Sequence, residues 1–296
     1  MRNRIAHLLL GATFALVLAG CASNAVPRST RDGLARSLTF HAPFDGTPDA
    51  TFARGDRRLQ VGPGWSAPRR VSPGLPPGGA VHIAPGTGRY GDALRFDHKI
   101  TEVVGFKAAG NVAYRKDGWA GTVSFWLRLS PEQDLAPDFC DPIQITSKAW
   151  DDASFFIDFD KEGDPRSFRL GAFADKAVWN PAGTNWEKVP ESERPMAKVA
   201  RHPFRRDRWT HVVFTWDGFN TGRPSGVARL YLDGAAAGEI GARTQTYTWD
   251  IDEALVMLGF SYTGWMDDLA LFDRALDAEE IRSLGSLPHG VADLHR

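Results

Sequence analysis

Near the C-terminal end, Gly264-Trp265-Met266-Asp267-Asp268-Leu269-Ala270-Leu271-Phe272 alternates at period two and runs directly into a capped helix. Such alternation marks a strand with one face on a core. Met266, Asp268, Ala270 and Phe272 share one face, and Asp267, Leu269 and Leu271 the other. After a short turn, Asp277 is the expected N-cap and Glu280 its partner three residues on, with Ile281 and Leu284 as the apolar contacts of the helix. The strand constrains the fold because Asp267 is expected on the side of the core leucines. A carboxylate sent inward requires hydrogen-bond donors or a cation.

Comparable strands recur upstream. Leu38, Phe40, Ala42 and Phe44 are spaced by two and end at a Phe44-Asp45-Gly46 turn. In Gly121-Thr122-Val123-Ser124-Phe125-Trp126-Leu127-Arg128-Leu129, Val123, Phe125, Leu127 and Leu129 form the apolar face. Residues 155–160 and 167–173 form a hairpin across Lys161-Glu162-Gly163-Asp164. Trp209 to Gly218 and Ala228 to Gly234 follow, the second ending in an Asp-Gly turn signal. Residues 61–80 are too rich in Pro and Gly for a regular element and read as a surface loop. Residues 174–208 break the rhythm, and an insertion of that length is usually functional or disordered.

These segments resemble, in order, the strands of laminin-G-like, concanavalin A-like jelly rolls. The closing Gly-x-Ile-Asp-Asp/Glu pattern and its Asp-Arg-Ala-Leu turn lie at 264–284, with Met266 in place of Ile. Gly91 to Phe96 resembles the family's Gly-x-Ala-Leu-x-Phe strand, and Trp209-Thr210-His211-Val212 its Trp-x-His-Val segment. The resemblance implies an all-β fold, a two-sheet antiparallel jelly-roll sandwich with a short C-terminal helix. Ten Trp, 30 Gly and 19 Pro agree with a loop-rich β architecture. A chain of 296 residues is compatible with one such domain, expected at 37–288, with 289–296 as a tail.

The first twenty residues read as an address rather than as structure. Met1-Arg2-Asn3-Arg4 is basic, and Ile5 to Ala19 is an apolar run too short to span a bilayer comfortably. The sequence Leu18-Ala19-Gly20-Cys21 resembles the lipobox of bacterial lipoproteins. That resemblance implies a signal peptide at 1–20, a lipid anchor at Cys21 and, since Ala22 follows, an outer-membrane or cell-surface location. Residues 21–36, polar and without periodicity, read as a flexible tether. Cys140 then has no partner, which excludes a disulfide framework, and is expected as a half-buried thiol. A net charge of −1 gives no footprint for nucleic acid.

Three candidate sites follow. The fold resemblance implies one structural calcium ion held by Asp45 or Asp49 with Asp267, since hard cations take carboxylate oxygens. The insertion offers a sugar platform: Trp179 and Trp186 for stacking on a pyranose face, with Arg201, His202, Arg205 and Arg206 to pair with an acidic sugar or sulfate. The alternative for both Trp residues is that they pin the insertion to the sandwich. Asp158, Asp160 and Glu162 alternate as the carboxylates of concanavalin A-like glycosidases do, although Asp158 stands where those enzymes carry a Glu. Exposed, solvated acids explain the triplet more simply. Trp126, Trp209, Trp216 and His211 read as packing or structural residues. The functional expectation is a non-catalytic envelope protein that binds carbohydrate. The alternatives are a polysaccharide hydrolase or lyase, and a structural or protein-interaction module.

Overall fold

The computed structural model describes residues 26–295. The signal peptide at 1–20 and the lipidation site Cys21 therefore lie outside the described residues. In chain order the strands are β1 (Leu38–Ala42), β2 (Phe52–Ala53), β3 (Gln60–Gly62), β4 (Ser72–Pro73), β5 (Val81–Ala84), β6 (Ala93–Phe96), β7 (Val103–Lys107), β8 (Trp119–Arg128), β9 (Cys140–Thr146), β10 (Ser154–Gly163), β11 (Arg166–Phe173), β12 (Met196–Val199), β13 (Thr210–Phe219), β14 (Gly226–Leu232), β15 (Ala235–Arg243), β16 (Leu255–Phe260) and β17 (Gly264–Phe272). The α-helices are α1 (Arg28–Ser37), α2 (Pro131–Asp134), α3 (Lys176–Trp179) and α4 (Ala278–Gly285).

Two antiparallel sheets face each other. One runs β15-β14-β13-β8-β17-β1-β2, with β6 also on β17 and β5 on β6; the other runs β12-β11-β10-β9-β16-β7-β3-β4. The alternating residues foreseen on β8 line the space between them: Val123, Phe125, Leu127 and Leu129 are all fully buried. Across the gap stand Phe155, Ile157 and Phe159 of β10. At the centre the Trp119 ring meets Trp216 at 5.1 Å and Trp249 at 5.0 Å, edge to face. Such geometry adds about 0.5–1.5 kcal/mol per pair beyond area burial. Trp216 is thus a core residue, whereas Trp126 stacks on His211 and Trp209 lies under the Arg128 guanidinium.

Four local expectations change. The strict alternation of β17 is interrupted, because its register against β8 shifts between Asp267 and Ala270 and Asp268 takes a φ of 51°. Met266 therefore joins Leu269 and Leu271 in the core, and Asp267 sits opposite Trp126, away from it. One inserted residue is enough to reverse the facing of everything before it. Residues 28–36, expected within the tether, form α1 together with Ser37, and the helix buries Leu34 against α4 and the tail. The tail itself is a 3-10 turn, Gly290–Leu294, with Val291 and Leu294 buried. Cys140 is fully buried rather than half-buried, and burial pushes its thiol up to about 11.

Part of the outer face of the nine-stranded sheet is covered. Leu38, Val213, Tyr231, Ala270 and Phe272 pack there against Leu34 of α1, Ile281 and Leu284 of α4, and Val291. The capping box of α4 forms as the sequence predicts: Glu279 and Glu280 N–H groups donate to Asp277, and the Asp277 N–H donates to Glu280. Asp268 fastens the tail by accepting the Val291 N–H at 3.1 Å, with His41 on its other oxygen at 2.7 Å. The two loops expected to be irregular each contribute an edge strand to the other sheet, β4 from 61–80 and β12 from 174–208. Pro73 is tolerated in β4 because that strand has no further neighbour.

Candidate functional site

The outer face of the eight-stranded sheet carries a cavity of about 750 Å³. Its floor follows from strand register. One rung crosses Phe260 of β16, Asp141 of β9, Asp158 of β10 and Arg169 of β11. The next crosses Met257, Gln144, Phe156, Gly171 and Met196. A charged rung therefore lies beside an apolar one. The charged rung depends on a register break: β9 shifts against β10 between Ile143 and Cys140, and Pro142, which has no N–H to donate, occupies that stretch. The break places Asp141 on the cavity side although Cys140 and Ile143 both face the core.

Loops form the walls. Trp65, between β3 and β4, stands edge-on to Phe260 at 5.0 Å. Trp150, between β9 and β10, is 44% exposed and meets Trp186 at 5.3 Å with the rings at 90°. Trp186 comes from the 174–208 insertion and carries the Arg194 guanidinium 4.2 Å above its ring. Phe156 lies on the floor directly over Gly171, where any Cβ would strike its ring. The result is a half-open trough with Trp rims and an aromatic floor, bordered on one side by carboxylates.

Asp158 receives the Arg169 Nε at 2.9 Å and its Nη2, while Nη1 reaches Asp160 at 3.2 Å. Burial raises the Asp158 carboxyl from its ordinary range, and the Arg169 contacts oppose that rise. Burial likewise pushes Asp141 well above the usual carboxylate range, reinforced by the neighbouring Asp158. Glu162 is 82% exposed at the far end of the hairpin. The predicted trio does not converge: Asp158 and Asp160 share one guanidinium, and Glu162 points to solvent.

The expected sugar platform is only partly assembled. Trp186 lines the cavity. Trp179 donates its Nε1–H to the Asp151 carbonyl at 2.8 Å and packs on Phe173 at 5.0 Å, so it pins the insertion. His202 is hydrogen-bonded to the Arg166 carbonyl at 2.9 Å and packs on Phe159 and Phe204. Arg206 pairs with Asp134, and Arg201 and Arg205 are exposed. None of these four basic residues lines the cavity. Trp65, Trp150 and Asp141, which do, carry no distinguishing local pattern. Trp65 follows Pro-Gly, Trp150 sits in a polar turn, and Asp141 is marked only by the Pro after it.

The carboxylates expected to hold calcium are brought into one region but not into one site. The β5–β6 turn comes between them: Asp267 accepts the N–H groups of Arg89 at 2.6 Å, Tyr90 at 3.0 Å and Asp268 at 2.7 Å. Burial pushes its carboxyl up to about 8, against the pull of those donors. Asp45 accepts the Asp92 N–H at 2.8 Å, and Asp92 accepts those of Gly46 and Gly86. Asp49 turns away and accepts the Leu59 N–H at 2.9 Å. Carboxylates ringed by N–H donors do not fit a cation shared by Asp45, Asp49 and Asp267. Among the described residues no group of three or more His, Cys, Asp or Glu could hold a metal ion.

A laminin-G family model, described as the concanavalin A-like lectin/glucanases superfamily, matches residues 108–282. Among solved structures, the chain is similar to domain 4 of AbnA, a GH43 extracellular arabinanase from Geobacillus stearothermophilus in complex with arabinotriose. The TM-score is 0.53 at 15% identity, covering 84% of this chain and 98% of that one. It is also similar to the receptor binding domain of a botulinum neurotoxin C/D mosaic serotype, with TM-score 0.53, 12% identity, and coverage of 85% and 51%. The botulinum neurotoxin serotype D ligand binding domain in complex with N-acetylneuraminic acid gives TM-score 0.50 at 11% identity, covering 86% and 52%. The chain thus spans about half of those toxin fragments. At such identities the likeness is one of fold. No curated protein matches the sequence.

Proposed function

The chain belongs to the concanavalin A-like lectin/glucanases superfamily, and from that premise we propose that it is a non-catalytic carbohydrate-binding protein of the bacterial cell envelope. The observation that carries the proposal is the Trp-rimmed trough on the outer face of the eight-stranded sheet, while helices cover the part of the other sheet's outer face around β1, β13 and the end of β17. A pyranose or furanose presents a C–H face that stacks on Trp186, Trp150 or Phe156, and Gln144 and the charged rung supply hydroxyl partners. The arabinotriose and N-acetylneuraminic acid complexes of its fold relatives support a saccharide as ligand. The non-catalytic reading is supported by Asp158 and Asp160, both engaged by Arg169 rather than free to attack or to protonate.

The envelope location rests on the sequence Leu18-Ala19-Gly20-Cys21, through which a lipid at Cys21 holds the domain at the outer membrane or cell surface. Screening the soluble chain against a glycan array, then titrating the hits, tests the binding. Trp186→Ala and Trp150→Ala are each expected to weaken a hit by roughly tenfold. A blank array, or hits indifferent to both substitutions, would refute the trough as a saccharide site. Cys21→Ser is expected to move the protein from the membrane fraction to the soluble one, and no movement would refute the anchor.

A further inference from the structure

The charged rung of the trough is unbalanced. Arg169 is its cation, and three carboxylates surround it. Two of them, Asp158 and Asp160, take up the guanidinium. Asp141 feels the Arg169 charge but makes no hydrogen bond or ion pair with it. Its side chain faces the cavity, the residue is 8% exposed, and its carboxylate makes no hydrogen bond or ion pair with any described residue. A buried carboxylate without a partner is costly unless it is neutralised.

The other cations on the walls, Lys148 and Arg69, make no bond to Asp141, although the Arg69 Nη1 is left without a hydrogen-bond partner. Lys148 Nζ lies 2.6 Å from Asp175 and 3.6 Å from Asp152. Arg69 donates Nε to the Trp65 carbonyl at 2.7 Å and Nη2 to the Lys148 carbonyl at 2.8 Å. Among the described residues no donor bonds to the Asp141 carboxylate, and the residue faces the trough. Around it the surfaces are aromatic. Phe260 is the cross-strand neighbour of Asp141, with Trp65 edge-on to it, and Phe139 lies just before the strand. Aromatic faces attract cations as well as sugar C–H groups.

We infer that the trough selects a glycan carrying a protonated amine, with the ammonium seated against Asp141 and the sugar ring on the aromatic floor. This deepens the carbohydrate reading and rests on it. The ammonium donates a charge-assisted hydrogen bond to the carboxylate that lacks one, and the aromatic rims shield the pair from water. Uronate or sulfate groups are disfavoured at the same place, because they bring a second anion toward Asp141 and Asp158. The selectivity therefore runs opposite to the acidic-sugar preference that the arginines of the insertion suggest.

Two ligands that differ only in their amines decide the matter: the β-1,4-linked glucosamine tetramer and its fully N-acetylated counterpart. Each is titrated calorimetrically at about pH 6, where the amine is protonated, in about 0.15 M salt to screen exposed charges. The expected result is at least about tenfold tighter binding of the amine form by the unmodified protein. Asp141→Asn removes that preference and brings the affinities of the two tetramers together, and an unchanged cooperative melting transition shows that the variant is folded. Equal affinities in the unmodified protein, or a preference that survives Asp141→Asn, would overturn the inference. Failure of both tetramers to bind overturns it too, while the carbohydrate reading stands or falls separately on the array.

Discussion

Gly171→Ala tests whether the floor of the trough is set by one missing methyl group. Gly171 lies directly across from Phe156 on β11, and a Cβ there would come within 2.7 Å of the ring's Cε2, with Cζ and Cε1 nearer still. Carbon atoms pack at about 3.5–4.0 Å, so the ring must rise by about 1 Å or more into the cavity. Overpacking of this kind costs about 1–3 kcal/mol. At 2–4 °C per kcal/mol for a domain of this size, the melting temperature is expected to fall by roughly 2–12 °C. Ligand binding should weaken as well, because the displaced ring fills part of the trough.

Gly121→Ala is the matched control. Its Cβ would meet the Trp216 ring, with Cε2 at 2.8 Å, but Trp216 lies between the sheets. That variant should lose comparable stability and keep its affinity. Relieving the crowding with Phe156→Leu in the Gly171→Ala background should restore stability beyond the sum of the single changes. The reasoning fails if Gly171→Ala melts with the unmodified protein, or if both glycine variants lose binding equally.

Arg169→Leu leaves Asp158 and Asp160 without their cation inside the sheet, and a loss of about 3–5 kcal/mol is expected, read by denaturant unfolding. Adding Asp158→Asn should recover much of it; no recovery would mean that the loss comes from packing. Burial holds His211 down to about 4, against the Asp268 charge that raises it and alongside Arg89, which lowers it further. The unfolded chain then binds the proton first, so stability is fully present above about pH 6.5 and is lost as pH falls toward 4, by about 3 kcal/mol in total. His211→Gln should flatten that part of the melting profile, and parallel profiles would refute the assignment. Asp277→Ala removes the cap of α4 and should cost about 1 kcal/mol, with a smaller loss for Glu280→Gln, measured by thermal melting.

Much of the fold could be read from the chain because most strands keep unbroken alternation. Val123, Phe125, Leu127 and Leu129 face the core as their spacing requires, and Asp277 with Glu280 caps α4. The failures have a common cause. At Asp267–Asp268 and beside Pro142, a strand takes in an extra residue and the alternation changes phase without any change in composition. Spacing alone therefore puts Asp267 on the wrong face and gives no mark to Asp141. Helix α1 leaves no clear signal in the sequence, because a ten-residue polar segment with one buried leucine owes its order to docking rather than to propensity.

The site was less legible still. Trp186 emerged because it sits in a conspicuous insertion, whereas Trp65 and Trp150 became rims only once β9, β10 and β16 had paired. Side chains separated by more than a hundred positions share this trough. No local pattern announces such a meeting.

Helix α1 touches both α4 and the terminal 3-10 turn, so the described chain starts and finishes on the same side of the sandwich. Immobilising either end on a solid support therefore gives one orientation, with the mouth of the trough directed away from the attachment point. The thickness of the two sheets then provides the standoff, and a long spacer is unnecessary for a bulky polymer to reach the binding surface.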